Sequence, residues 1–139
     1  MNIAFFLIPK EEVVYIYSDS TMRQALEKME HHRYTAIPVI DHEGKYIGSL
    51  TEGDLLWRLK NTSDLTFENT QTVRVNDILR HRESREINIS SQIEDLILKV
   101  IEQNFVPVVD DNKIFIGIIR RREIIEYCSK FISAINREL

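Results

Sequence analysis

Thr51 and Asp54 stand three residues apart, where an apolar run gives way to a helical pattern. The same point 69 positions later holds Arg120 and Glu123, with Arg121 and Arg122 between them. A carboxylate accepts hydrogen bonds from neighbouring hydroxyls such as those of a ribose. A threonine hydroxyl at a helix N-terminus can donate to an anion, which the helix-start N–H groups also favour. Arginine presents a planar donor fork suited to phosphate. A plainer reading stays open beside this one. Thr51 is then an N-cap and Asp54 a first-turn acid, and the arginines are a solvated helix start. Positive charge at a helix N-terminus is mildly unfavourable, by roughly 0.3–1 kcal/mol per residue, which favours a functional reason for three arginines there.

These points end the two halves of an internal repeat. Each half has an apolar-Pro-Val-apolar-Asp run, a turn, an apolar strand with Gly, and a helix start. Pro38 and Pro107, Asp41 and Asp110, and Gly48 and Gly117 keep one offset, and such a repeat decides the architecture. In the first copy, Val13–Tyr17 reads as a strand. Thr21 with Gln24 has capping-box spacing, and Met22, Ala25, Leu26 and Met29 mark a buried helical face. Strands Ala36–Ile40 and Tyr46–Leu50 follow, then a helix Glu52–Lys60 with Leu55, Leu56 and Leu59 on one side. The second copy repeats the order. Glu86–Ile89 is a strand, and Ser91 with Glu94 is a capping box. Ile93, Leu96, Ile97 and Val100 are the helical face. Val106–Val109 and Phe115–Ile119 are strands, and the helix Arg121–Glu138 carries a stripe of Ile124, Cys128, Phe131 and Ile135. Relative to the first, the second copy lacks two residues just before Val106.

The predicted fold class is α/β (α+β), with two β-α-β-β-α repeats packed sheet to sheet as a pseudo-symmetric pair. A lone sheet of two or three strands cannot bury its apolar surfaces. The expected divisions are residues 1–60 for the first repeat with an N-terminal arm, a polar linker over 61–72, and 73–139 for the second repeat with its long C-terminal helix. The run Asn2–Ile8 is a short helix or an arm on the first lobe. Val75–Leu79 is a helical turn entering the second copy.

The 139 residues are 43% hydrophobic and 29% charged, an ordinary globular composition. A net charge of -4 argues against general nucleic-acid binding. The single cysteine, Cys128, excludes an internal disulfide, fits a reducing cytoplasm, and lies on an apolar stripe as a buried thiol. The apolar run Ile3–Ile8 is too short to span a bilayer, and no membrane or export signal is visible. With four glycines and no nucleotide-hydrolase, metalloprotease or nucleophile-elbow motif, the chain does not read as an enzyme. His31 and His32 read as a solvated helix end rather than a metal site, and Trp57 as a core or dimer residue.

The repeated Ile-Pro-Val-Ile-Asp pattern, with Gly48-Ser-Leu-Thr51-Glu-Gly-Asp54, resembles the CBS domain, and the tandem resembles a CBS pair, or Bateman module. The resemblance covers about residues 7–130. Leu7-Ile8-Pro9, the stretch Tyr34–Val39, Gly117-Ile118-Ile119 with its arginines, and the shortening before Val106 are similar to stand-alone bacterial CBS proteins, including the cyclic-di-AMP receptor type.

The resemblance implies two clefts between the copies that take an adenosine-containing nucleotide: AMP, ADP, ATP or cyclic di-AMP. Carried over, one cleft uses Val13, Val14, Tyr34, Thr35 and Ala36 with Arg120, Arg121, Arg122 and Glu123. The other uses Thr51 and Asp54 with Ile87, Asn104, Phe105 and Val106. Tyr34 reads equally as a core residue. The arginine-rich cleft is the better candidate for an occupied site. No cofactor or metal is required, and the nucleotide is a regulatory ligand. The resemblance also implies a homodimer and an effector protein that reads the ligand state. The alternative is a dimerisation or protein-docking module with vestigial ligand pockets.

Overall fold

The computed structural model describes residues 1–79 and 85–138. The chain divides into two compact units, Met1–Val13 with Arg85–Leu139, and Val14–Ser84. Each has a mixed sheet with helices, as the repeat requires.

In the first-copy unit, β2 (Ile16–Tyr17) pairs in parallel with β3 (Ala36–Ile40), which pairs antiparallel with β4 (Tyr46–Thr51). β3 is buried from Ile37 to Ile40, while β4 alternates, burying Tyr46, Gly48 and Leu50. That alternation is a strand with one face on a core. Helix α1 (Met22–His32) opens on the expected capping box. Gln24 N–H donates to Thr21 Oγ1 (3.1 Å) and Thr21 N–H to Gln24 Oε1 (2.9 Å). Met22, Ala25 and Met29 are buried beneath it. Helix α2 (Glu52–Asn61) buries Leu55 but leaves Leu56 and Trp57 exposed, so Trp57 is not a core residue.

The segment after the linker belongs to this same core. Val73, Val75 and Leu79, from the stretch holding α3 (Val75–Ile78), pack with Met22 and Leu50. Met22 N–H donates to Val73 O and Val75 N–H to Ser20 O, each at 2.8 Å. A stretch expected to enter the second copy thus closes the first.

The second-copy unit shows the reciprocal exchange. β5 (Ile87–Asn88) pairs in parallel with β6 (Phe105–Val109), and β6 antiparallel with β7 (Phe115–Arg120). The free edge of β7 takes β1 (Ile8–Pro9) antiparallel, giving the order β1-β7-β6-β5. Ile3 and Phe6, in a 3₁₀ turn Ile3–Phe6, are buried in this core with Leu96 and Val106. The run Asn2–Ile8 thus holds a short helix, one of the two forms expected, but it and the strand after it belong to the second-copy unit and not to the first lobe. Gly117 makes the pairing possible. Its φ is 156°, and a Cβ there would lie 2.1 Å from the Ile8 carbonyl oxygen. Only glycine lets the arm approach so closely. Pro9 lies in the edge strand of this sheet, where proline is tolerated.

Two short strands are shorter than expected: β2 excludes Val13–Tyr15, and β5 excludes Glu86 and Ile89. Helix α4 (Ile93–Glu102) is capped by Gln92 with no side-chain bond, so the expected Ser91–Glu94 capping box does not form. Asn88 organises that turn instead, its Oδ1 accepting from Ser90 N–H at 2.8 Å. Helix α5 (Arg121–Glu138) has the expected bounds. Its stripe is buried only at Ile124. Cys128 is half-buried, Phe131 and Ile135 are exposed, and so is Ile97 on α4.

Candidate functional site

In the first copy, the antiparallel register sets Ala36 opposite Thr51, and Glu52 N–H donates to Thr35 O at 3.0 Å. The stretch Tyr34–Thr35–Ala36 is thereby joined to the start of α2. Thr51 is an N-cap with extended backbone. Asp54 N–H donates to Thr51 Oγ1 (3.1 Å) and Thr51 N–H to Asp54 Oδ2 (2.9 Å). This satisfies two helix-start donors. It leaves the Thr51 hydroxyl proton and Asp54 Oδ1 outside the box. Tyr34 is exposed and stacked on His32, its ring 5.5 Å away. Val14 packs, half-buried, against the core.

The second copy makes the same join with different chemistry. Phe105 stands opposite Arg120, and Arg121 N–H donates to Asn104 O at 2.8 Å. Where the first copy has a capping box, Arg120 gives its fork to Glu123, with Nε 2.9 Å from Oε1 and Nη2 bonded to the same oxygen. Glu123 Oε2 is buried without a partner among the described residues. Ile87 and Val106 are core residues, and Val13 is half-buried with its N–H on Lys10 O.

Arg121 and Arg122 take separate roles. Arg122, exposed, pairs with Glu126 one turn on. Arg121 turns to the end of α4, its Nε 2.7 Å from Val100 O and 3.1 Å from Gln103 O, and its Nη2 3.4 Å from Ile101 O. The reason lies in the two-residue shortening. In the first copy, α1 is closed by Arg33 in the left-handed conformation (φ 59°), its N–H on Glu30 O and Met29 O and the Tyr34 N–H on Met29 O. The second copy lacks those residues and leaves α4 through an extended Gln103. A helix end still needs donors for its last carbonyls. Arg121 supplies them from the position where the first copy has Glu52. Residue type alone hid this role; the shortening, set beside the Glu-to-Arg exchange, is the signal that carries it.

The residues directly joined are thus those of one copy: Tyr34–Ala36 with Thr51 and Asp54, and Asn104–Val106 with Arg120–Glu123. Among the described residues, no three His, Cys, Asp or Glu side chains are grouped to hold a metal, and no helix is long and apolar enough to cross a membrane. In the first copy, His42 stacks on Tyr17, and its Nε2 lies 2.8 Å from Asp19 Oδ2. That hydrogen bond holds the Asp19 carboxyl below its ordinary 3.8. In the second-copy unit, α4 and α5 flank a groove of about 580 Å³ lined by Ile97, Ile101, Ile125 and Ile132.

The CBS domain family model matches residues 7–61 and 75–130. Cyclic di-AMP receptor B of Bacillus subtilis is 25% identical over 132 residues, covering 95% of this chain and 89% of that protein. A crystal structure of CbpB in complex with c-di-AMP superposes with a TM-score of 0.87 at 21% identity, covering 100% of this chain and 91% of that one. The Listeria monocytogenes CbpB protein, also in complex with c-di-AMP, gives 0.84 at 23% identity, covering 96% and 99%. At these identities the structural likeness is one of fold. With matches to both halves of the repeat, the chain belongs to the CBS domain family and carries two copies of the domain.

Proposed function

We propose that this protein is a non-catalytic regulator in the cytoplasm that binds an adenosine-containing nucleotide and passes the ligand state to a partner protein. The observation that carries the reading is the start of α2. There the Thr51 hydroxyl proton and one carboxylate oxygen of Asp54 stay outside the capping box, beside the chain at Thr35. The carboxylate suits ribose hydroxyls, and the helix start suits phosphate. The relatives named for cyclic di-AMP support the ligand class, with AMP, ADP and ATP as the other members. Val13, Val14, Tyr34–Ala36, Thr51, Asp54, Ile87, Asn104–Val106, Arg120, Arg122 and Glu123 are the proposed contacts. Arg121 acts on the ligand only through the backbone it holds. Signalling is limited by the ligand's differential affinity for two arrangements of the protein. Thermal-shift and calorimetric titration with AMP, ADP, ATP and cyclic di-AMP tests the proposal. A ligand at 100 times its Kd stabilises by about 2.7 kcal/mol. No stabilisation by any of the four at millimolar concentration would end it.

A second reading, a dimerisation or docking module with vestigial pockets, is favoured by the isoleucines of the α4–α5 groove, where Ile101 is 69% and Ile125 58% exposed. Such a patch marks an interaction surface. Light scattering on wild type and Ile125→Glu tests it. A dimer that dissociates in the variant, in a protein that binds no nucleotide, would establish it.

A further inference from the structure

We infer that Gln103 sets base specificity at the second copy's half-site, its side-chain oxygen accepting a hydrogen bond from the 6-amino group of an adenine base. The inference deepens the nucleotide-binding reading above and rests on it. Gln103 stands 69 positions after Tyr34, where the second copy is two residues shorter. Tyr34 is exposed and stacks on His32. Gln103 is half-buried and tied down on three sides. Its backbone N–H donates to Lys99 O at 3.0 Å, and its carbonyl accepts from Arg121 Nε at 3.1 Å. Its Nε2 donates to Arg85 O at 3.0 Å and to Phe105 O at 3.2 Å. Those two carbonyls lie just before β5 and at the first residue of β6, so one side-chain amide ties both segments together.

The same two carbonyls settle which way the amide points. An amide donates from its nitrogen and accepts at its oxygen. Turned over, Gln103 would set Oε1 against two carbonyl oxygens and lose both bonds. Oε1 is the polar atom left over. Among the described residues it has no hydrogen-bond partner, and it is open to solvent rather than buried. A glutamine on a free surface offers a ligand either end. Gln103 offers only an acceptor, and it does so beside Asn104, Phe105 and Val106, the contacts proposed for this half-site. Adenine carries an amino donor at position 6, whereas hypoxanthine and guanine carry an oxygen there. The amino group completes Oε1. The oxygen meets an acceptor held near two others, and loses its water without a bond in return.

The test compares AMP with purine riboside 5′-monophosphate, which lacks the amino group, and with IMP, which has an oxygen in its place. Calorimetry on wild type should rank them in that order. AMP should bind about two- to tenfold more tightly than purine riboside monophosphate and at least about tenfold more tightly than IMP. Gln103→Leu removes the acceptor and also takes a donor from Arg85 O and Phe105 O, so its Tm should fall. The ratio is the decisive quantity. In the variant, AMP and purine riboside monophosphate should bind equally. A purely structural glutamine would weaken both alike and keep the wild-type ratio, and that result overturns the inference. A second measurement uses unsubstituted protein. The Gln103 side-chain NH₂ signal, assigned by its absence from the spectrum of the variant, should move downfield with AMP and much less with purine riboside monophosphate. Equal shifts with the two refute the inference. AMP that binds without moving the signal also overturns it and leaves the nucleotide reading standing. Wild type that binds none of AMP, ADP, ATP and cyclic di-AMP ends both.

Discussion

Replacing Arg121 with alanine should destabilise the protein far more than replacing its neighbour Arg122. Arg121 donates Nε to Val100 O (2.7 Å) and Gln103 O (3.1 Å), and Nη2 to Ile101 O (3.4 Å). Val100 is buried, so its carbonyl is poorly placed to find water after the change. Hydrogen bonds from charged donors contribute about 1.5–3 kcal/mol in favourable settings. Here one bond is strong, one is shared, and one is long with a partly exposed donor. Together with about 0.3–1 kcal/mol from a cation at a helix C-terminus, the loss comes to roughly 2–3 kcal/mol. At about 3 °C per kcal/mol for a chain of this size, Tm should fall by about 6–9 °C. Arg122→Ala loses one exposed i,i+4 pair with Glu126. Its cost is about 0.3–0.5 kcal/mol, with a fall of no more than about 2 °C. Arg121→Lys restores the charge without the fork and should recover part of the loss. Calorimetric melting gives the totals, and amide exchange should localise the Arg121→Ala loss to the last turn of α4. Equal effects of the two alanine variants, or unchanged exchange at Val100–Gln103, would refute the capping role.

Four further outcomes follow from single positions. Gly117→Ala sets a Cβ against the Ile8 carbonyl and should cost about 2–4 kcal/mol, with limited proteolysis opening the chain within residues 1–13. Gly53→Ala is its control, because a Cβ there meets only Thr51 Oγ1 at 3.7 Å and Trp57 Nε1 at 3.8 Å. In a helix it should stabilise by about 0.5–1 kcal/mol, read from the same melts. Thr51→Ala removes an N-cap and should lower stability by about 1 kcal/mol in urea titration. Asp19 is held below its ordinary 3.8 chiefly by the His42 hydrogen bond. A depressed folded value means the contribution is complete above 3.8 and is lost as pH falls through the lower folded value. NMR titration of the Asp19 carboxyl in His42→Ala should show its value rising toward 3.8.

What the sequence made legible is what depends on local pattern. The paired strands, the Thr21–Gln24 box and the span of α5 each follow from periodicity or a cap that acts within one turn. The exchange of segments was not legible, because Ile3, Phe6, Val73 and Val75 are apolar and would cover either sheet equally well. Their partners are set by backbone fit, as at Gly117 against Ile8, and that fit is a tertiary fact. The Ser91–Glu94 spacing misled for a related reason. Asn88 takes over the turn, and the helix starts one residue later, at Ile93 after Gln92. At the candidate site, the residue types at Thr51, Asp54, Arg120 and Glu123 were visible. Which oxygen each carboxylate keeps was not, since that depends on side-chain geometry.

The arginine run shows why charge counted along a sequence overstates what a ligand meets. Three consecutive guanidinium groups suggest three phosphate contacts. Arg121 is spent on the carbonyls of α4, a demand created by two residues missing elsewhere in the chain. Arg122 is balanced by Glu126 on the same helix. Arg120 is bonded to Glu123, which stands where the first copy has Asp54. The difference between the copies is therefore one of which group each carboxylate bonds, as well as of positive charge. Asp54 gives one oxygen to the Thr51 N–H, whereas Glu123 gives one to the Arg120 side chain. The two helix starts on one repeated scaffold thus differ in the side chains they present, and for Arg121 the difference traces to a helix end that the shorter copy caps by other means.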